Sequence, residues 1–130
     1  ALSGARVTVV GRSLVIGRPV SLMLQDRDAT VTMCHSRTRD LAGACRAADV
    51  LVVAAGRPRM VGASCVRAGQ TVVDVGINWD EGSGRLVGDV DYGAVRDIVG
   101  AITPVPGGIG AVTTAILAKH VVEAAERMVR

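Results

Sequence analysis

Short runs of β-branched and apolar residues alternate along the chain with stretches whose apolar positions recur every three or four residues. Arg6–Val10 (RVTVV) stops at Gly11 and predicts a buried strand. From Gly17 to about Arg27, Val20, Leu22, Met23 and Leu24 fit a helix. Pro19 falls in its first turn, where a missing N–H is tolerated. Ala29–Cys34 predicts a second strand, Asp40–Ala48 a second helix capped by Asp40, and Asp49–Ala55 a third strand that stops at Gly56. Gly62–Val66 is long enough for one helical turn, and Thr71–Gly76 predicts a fourth strand. Trp79–Arg85 contains DEGSG, the signature of a hairpin or excursion. Asp91 can cap a short helix through Val95 and Ile98, Ala101–Thr103 predicts a last strand, and a long helix is expected over about Ala111–Val129.

The strands are continuous apolar runs, as expected where both faces of a sheet are covered. Strand and helix alternate, so the expected fold is α/β, a doubly wound parallel sheet of the Rossmann-like kind. A chain of 130 residues suits a single domain over residues 1–130. Hydrophobic residues make up 49% and charged residues 21%, which supports a folded core. Phe is absent and Trp79 and Tyr92 are the sole aromatics, so bases have almost no stacking platform and nucleic-acid binding is not expected. No apolar run approaches the roughly 20 residues of a bilayer span. Cys34, Cys45 and Cys65 have no C-x-x-C spacing, which argues against a zinc ribbon or redox motif and fits a reducing, cytoplasmic setting. The chain begins at Ala1, without Met, immediately before a strand, as a fragment or processed product would.

Ligands of doubly wound sheets bind beyond the carboxyl ends of the strands. Gly11 lies at such an end, and Gly11-Arg12-Ser13 precedes a helix whose free amides and dipole attract anions. The pattern G-R-S-x-x-x-G-R-P is not the dinucleotide fingerprint G-x-G-x-x-G, so a plain strand-to-helix turn stays open beside the phosphate-binding reading. At the end of the second strand an NAD site usually carries Asp or Glu for the ribose. Here the chain reads Cys34-His35-Ser36-Arg37-Thr38-Arg39, with no carboxylate before Asp40. Ser36, Arg37 and Arg12 suit a 2′-phosphate, which favours NADP over NAD; solvent exposure is the plainer reading of Arg37 and Arg39. His35 reads as structural or adenine-facing, Asp74 and Asp89 as structural carboxylates bonded to backbone near strand ends, and Lys119 as a surface residue.

GRSLVIGRPVSLML, ATVTMCHSRTRDL, ADVLVVAAGRPRMV, AGQTVVDVGIN, GRLVGDV and ITPVPGGIG occur in one order across nearly the whole chain. Together they resemble the nucleotide-binding half of the bifunctional methylenetetrahydrofolate dehydrogenase/cyclohydrolase family. The resemblance implies oxidation of 5,10-methylenetetrahydrofolate by NADP, followed by hydrolysis of the product to 10-formyltetrahydrofolate. It implies that Gly11, Arg12 and Ser13 hold phosphates, with Arg12 and Ser36 near the 2′-phosphate. Ala55 and Gly56 would meet the dinucleotide, Ile77 would contact the nicotinamide carboxamide through its backbone, and Thr103 with the PVPGGIG loop would face the folate cleft. The family's Tyr-x-x-x-Lys pair does not occur in this sequence, so the folate would reach the site through a catalytic half outside this chain. Ala111-Val112 also stands where the family has Pro-Met. A stand-alone NADP(H)-sensing module and another small dehydrogenase of the same fold are the competing expectations. The apolar positions of the last helix predict a homodimer or a repositioned helix.

Overall fold

The protein is described by a computed structural model covering residues 1–129. Five parallel strands form the sheet: β1 (Arg6–Val10), β2 (Thr30–Cys34), β3 (Val50–Val53), β4 (Thr71–Asp74) and β7 (Ala101–Ile102), in the order β2-β1-β3-β4-β7. Helices α1 (Gly17–Gln25) and α2 (Leu41–Ala47) make the first crossovers. A 3₁₀ turn at Ala63–Cys65 follows β3. The hairpin β5 (Asn78–Asp80) and β6 (Arg85–Val87), the short helix α3 (Tyr92–Val95) and the long helix α4 (Ile109–Met128) complete the chain. The expected doubly wound, Rossmann-like α/β arrangement is therefore present.

Side chains of β1, β3 and β4 serve two cores because successive residues point to opposite faces. Val10, Leu51, Val53 and Val72 pack with Cys34, Cys45, Val61, Val90 and Val95 on one face. Val7, Val9 and Val52 pack with Ala29, Val20 and Leu24 under α1 on the other. Each such side chain contributes about 1.5–3 kcal/mol when fully buried. Thr8 lies on the α2 face and donates its hydroxyl to the Ala44 carbonyl at 2.9 Å. The edge strand β2 departs from the expected two-sided burial: of its five residues only Cys34 is buried.

Several predicted strands and helices have shifted ends. β3 stops at Val53 rather than Ala55, because the amides of Ala55 and Gly56 turn to the Asp89 carboxylate. β4 stops at Asp74 rather than Gly76, whose amide turns back to Asp74 Oδ1. α1 stops at Gln25 rather than Arg27, where Asp28 takes a positive φ of 62° and reverses the chain. The last helix starts two residues early, at Ile109, with Gly108 as its N-cap. Both predicted Asp caps hold: Asp40 Oδ1 accepts the Gly43 amide at 2.8 Å and Asp91 Oδ1 that of Ala94 at 3.3 Å. None of the residues of α4 described is buried, and among the described residues Lys119 on it pairs with Glu123, one turn on, at 3.7 Å.

Candidate nucleotide-binding site

The order of crossovers reverses between β1 and β3, so a crevice opens beyond their carboxyl ends. A cleft of about 530 Å³ occupies this place, lined by the tips of β1, β2 and β3. Gly11, Arg12 and Ser13 supply one wall, His35, Ser36 and Thr38 a second, and Ala54, Ala55 and Arg57 a third. No Asp or Glu lines it among the described residues. Neither Arg12 nor Arg57 forms an ion pair with a described residue, so both guanidinium groups are unspent at the cleft.

The spacing of Gly11 and Gly17 has a steric cause. A Cβ on Gly11, whose φ is 121°, would overlap the Ala54 carbonyl; one on Gly17 would overlap the Gly11 carbonyl. The two glycines thus let the loop lie flat on the tip of β3 and close on itself. Ser13 Oγ accepts the amides of Ile16 at 3.0 Å and Gly17 at 3.4 Å. It occupies two of the donors at the entry of α1 and keeps its own hydroxyl proton to give. The loop is a built turn and a donor-bearing wall at once.

A second, smaller cleft of about 170 Å³ lies at the carboxyl end of β4, between Asp74–Ile77, Leu86 and Pro104–Ala111. Ile77 is exposed on its rim. Between the two clefts sits a polar core. Asp89 is fully buried, and its carboxylate accepts the amides of Ala55 (2.6 Å), Gly56 (2.8 Å) and Arg57 (2.9 Å) and the Asn78 side-chain amide (2.8 Å). Asp74, also buried, accepts the amides of Gly76 (2.9 Å), Asp89 (3.1 Å) and Val90 (2.9 Å). Burial pushes the Asp74 carboxyl above the usual carboxylate range despite those three donors, with the nearby Asp89 charge adding to the rise. Thr103 Oγ1 accepts the Asp74 amide at 2.8 Å.

Of the residues singled out in the sequence, Gly11, Arg12, Ser13, Ser36 and Ala55 meet at the larger cleft, and Ile77 lies at the smaller one. Arg37, Gly56 and Thr103 line neither. The Arg37 amide bonds His35 Nδ1 at 3.2 Å inside the turn after β2, the Gly56 amide faces Asp89, and the Thr103 hydroxyl is used on β4. Arg57 was not legible as a cleft residue; its one signal is its place after Gly56 at a strand tip, the same position Arg12 holds after Gly11. Both buried aspartates are bonded to backbone, as expected.

The profile of the tetrahydrofolate dehydrogenase/cyclohydrolase, NAD(P)-binding domain, matches residues 1–129. The bifunctional protein FolD of Clostridioides difficile is 58% identical over 123 residues, 95% of this chain and 42% of its own. The crystal structure of FolD from Campylobacter jejuni superposes with a TM-score of 0.92 at 44% identity, covering 97% of this chain and 44% of that one. The Trypanosoma brucei methylenetetrahydrofolate dehydrogenase-cyclohydrolase, complexed with NADP cofactor and inhibitor, superposes with a TM-score of 0.89 at 43% identity over 99% of this chain and 46% of that one. The chain spans less than half the length of these relatives. A profile match over this length, on a sheet whose cleft lies at the same strand tips the sequence marked, shows that the chain belongs to the tetrahydrofolate dehydrogenase/cyclohydrolase family as an NAD(P)-binding domain.

Proposed function

We propose that this chain is the NADP-binding domain of a methylenetetrahydrofolate dehydrogenase/cyclohydrolase, with residues 1–130 forming one domain and the catalytic groups supplied by a further part of the protein. The observation that carries the choice of cofactor is the larger cleft, which among the described residues offers two unspent arginines and the Ser13 and Ser36 hydroxyls and no carboxylate. A carboxylate would repel a phosphorylated ribose; this donor set fits one. Gly11, Arg12 and Ser13 would hold the phosphates, Arg12, Ser36 and Arg37 the 2′-phosphate end, and Ala55 and Gly56 the dinucleotide along β3. Ile77 and Thr103 would frame the nicotinamide end. When bound, NADP supplies the hydride acceptor for 5,10-methylenetetrahydrofolate, and the protein supplies position and charge. Hydrolysis to 10-formyltetrahydrofolate would follow in the complete enzyme.

Titration with the two coenzymes tests this reading. Arg12→Ala should weaken NADP⁺ by roughly 1.5–3 kcal/mol more than NAD⁺. Equal losses would remove the 2′-phosphate role. A sensing module without chemistry is the second reading, favoured by the lack of a Tyr-x-x-x-Lys pair in this sequence; dehydrogenase activity of the full-length protein decides against it.

A homodimer is supported by α4, where Val112, Ile116 and Val122 are exposed. Sedimentation of the chain as a monomer with α4 solvent-exposed would refute the dimer. No helix among the described residues is long and apolar enough to cross a membrane. Three unpaired thiols fit a cytoplasmic location.

A further inference from the structure

We propose that Asp89 is a positioning residue for the nucleotide, the buried anchor that sets the shape of both clefts before any ligand arrives; this rests on the NADP-binding reading above. Its carboxylate is fully buried, yet three of its four donors are consecutive backbone amides of the loop that lines the larger cleft. Oδ2 takes Ala55 and Gly56, and Oδ1 takes Arg57 and the Asn78 side chain. Such a bond pattern fixes the backbone of Arg57, one of the two free cations at the cleft.

The constraint reaches further by contact. The loop at Gly11 lies directly on the Ala54 carbonyl, so the β1 tip takes its place from the β3 tip. On the other side a Cβ at Gly76 would overlap the Asp89 carboxylate, so the wall of the smaller cleft packs against the same group. Asn78, next to Ile77, is held by it as well. Asp74 in turn accepts the amides of Asp89 and Val90 and keeps the anchor in register. No atom of Asp89 lines the larger cleft, so it acts through the residues it holds.

Asparagine at this position has nearly the same shape but one acceptor oxygen. Its NH₂ group would face two N–H donors whichever way it turned. The test is isothermal titration of the chain with NADP⁺. Asp89→Asn should weaken binding roughly tenfold or more, while Gln70→Met, which removes a buried bonded side chain at the far end of the sheet, should lower Tm and leave affinity within twofold. A folded Asp89→Asn variant that binds within twofold of the parent overturns the proposal. Should that variant not fold, amide exchange of the unaltered chain decides. Anchoring predicts that the Gly56 and Arg57 amides, although in exposed residues, exchange at least about 100-fold slower than in an unstructured peptide without ligand. Protection that arises only when NADP⁺ is added would overturn it. If the unaltered chain fails to bind NADP⁺, the functional reading itself falls, a result distinct from equal binding by parent and variant.

Discussion

The two ends of the parallel sheet are both polar, with opposite chemistry. At the amino end, donors meet carbonyls. Arg67 gives its guanidinium to the carbonyls of Arg46 (3.0 Å) and Ala48 (2.9 Å) and to Asp49 (2.8 Å). Gln70 donates to the carbonyls of Cys45 (2.7 Å) and Ala48 (3.0 Å), and Arg6 pairs with Asp49 at 3.3 Å. These groups satisfy the carbonyls that α2 leaves open at its end. At the carboxyl end, Asp74 and Asp89 act as acceptors for loop amides. Each end carries arginines with no carboxylate partner among the described residues, Arg27 and Arg46 at the amino end and Arg12 and Arg57 at the carboxyl end, but only Arg12 and Arg57 line the larger cleft. The ligand end is marked by unspent cations that line a cleft, and a count of arginines alone would not find it.

The comparison breaks most easily at the glycines of the carboxyl end. Gly88→Ala drives a methyl into the Asp74 carboxylate and should cost about 3 kcal/mol in urea unfolding. Gly84→Ala, in the β5–β6 turn with open space around it but φ of 63°, should cost only about 1 kcal/mol. Equal costs would mean that the Asp74 pocket yields freely.

A smaller contrast separates the two sets of arginines. Arg57→Gln should weaken NADP⁺ by about 1.5 kcal/mol with little change in stability. Arg67→Gln should lower stability by about 1 kcal/mol, with the cofactor affinity unchanged. Loss of affinity in the Arg67 variant would erase the distinction between the ends.

The smallest expected effect is in pH dependence, and it has opposite signs at the two ends. The Arg6 backbone amide and side chain beside Asp49 hold its carboxyl below the ordinary 3.8, so its contribution to stability is present above that value and lost as the pH falls through the folded pKa. Asp74, raised by burial, binds its proton more tightly when folded. Its contribution is present below 3.8 and lost as the pH rises through the folded pKa. Carbon-detected NMR titration of the two carboxyls should place the midpoints on opposite sides of 3.8.

The element order was legible because the central strands are apolar runs and two of the helices, α2 and α3, carry a visible Asp cap. Gly11, Arg12, Ser13, Ser36 and Ala55 could be found because strand tips in such a sheet converge. Asp89 was legible as a carboxylate bonded to backbone, but neither the amides it holds nor the place of Arg57 could be found: the bonds between them join residues more than 30 positions apart, and no local period encodes that pairing. The same long-range bonds trimmed β3, since an amide given to a buried carboxylate is lost to the strand ladder.

Cys34, Cys45 and Cys65 come from β2, α2 and the 3₁₀ turn, and all three are buried and unpaired. Burial pushes the Cys45 thiol up to about 12, so it is inert in the closed protein and reacts as an ordinary thiol once its surroundings open. The domain therefore carries its own clock for opening. Alkylation followed by mass analysis would time the release of each segment separately, with no probe added and no residue changed.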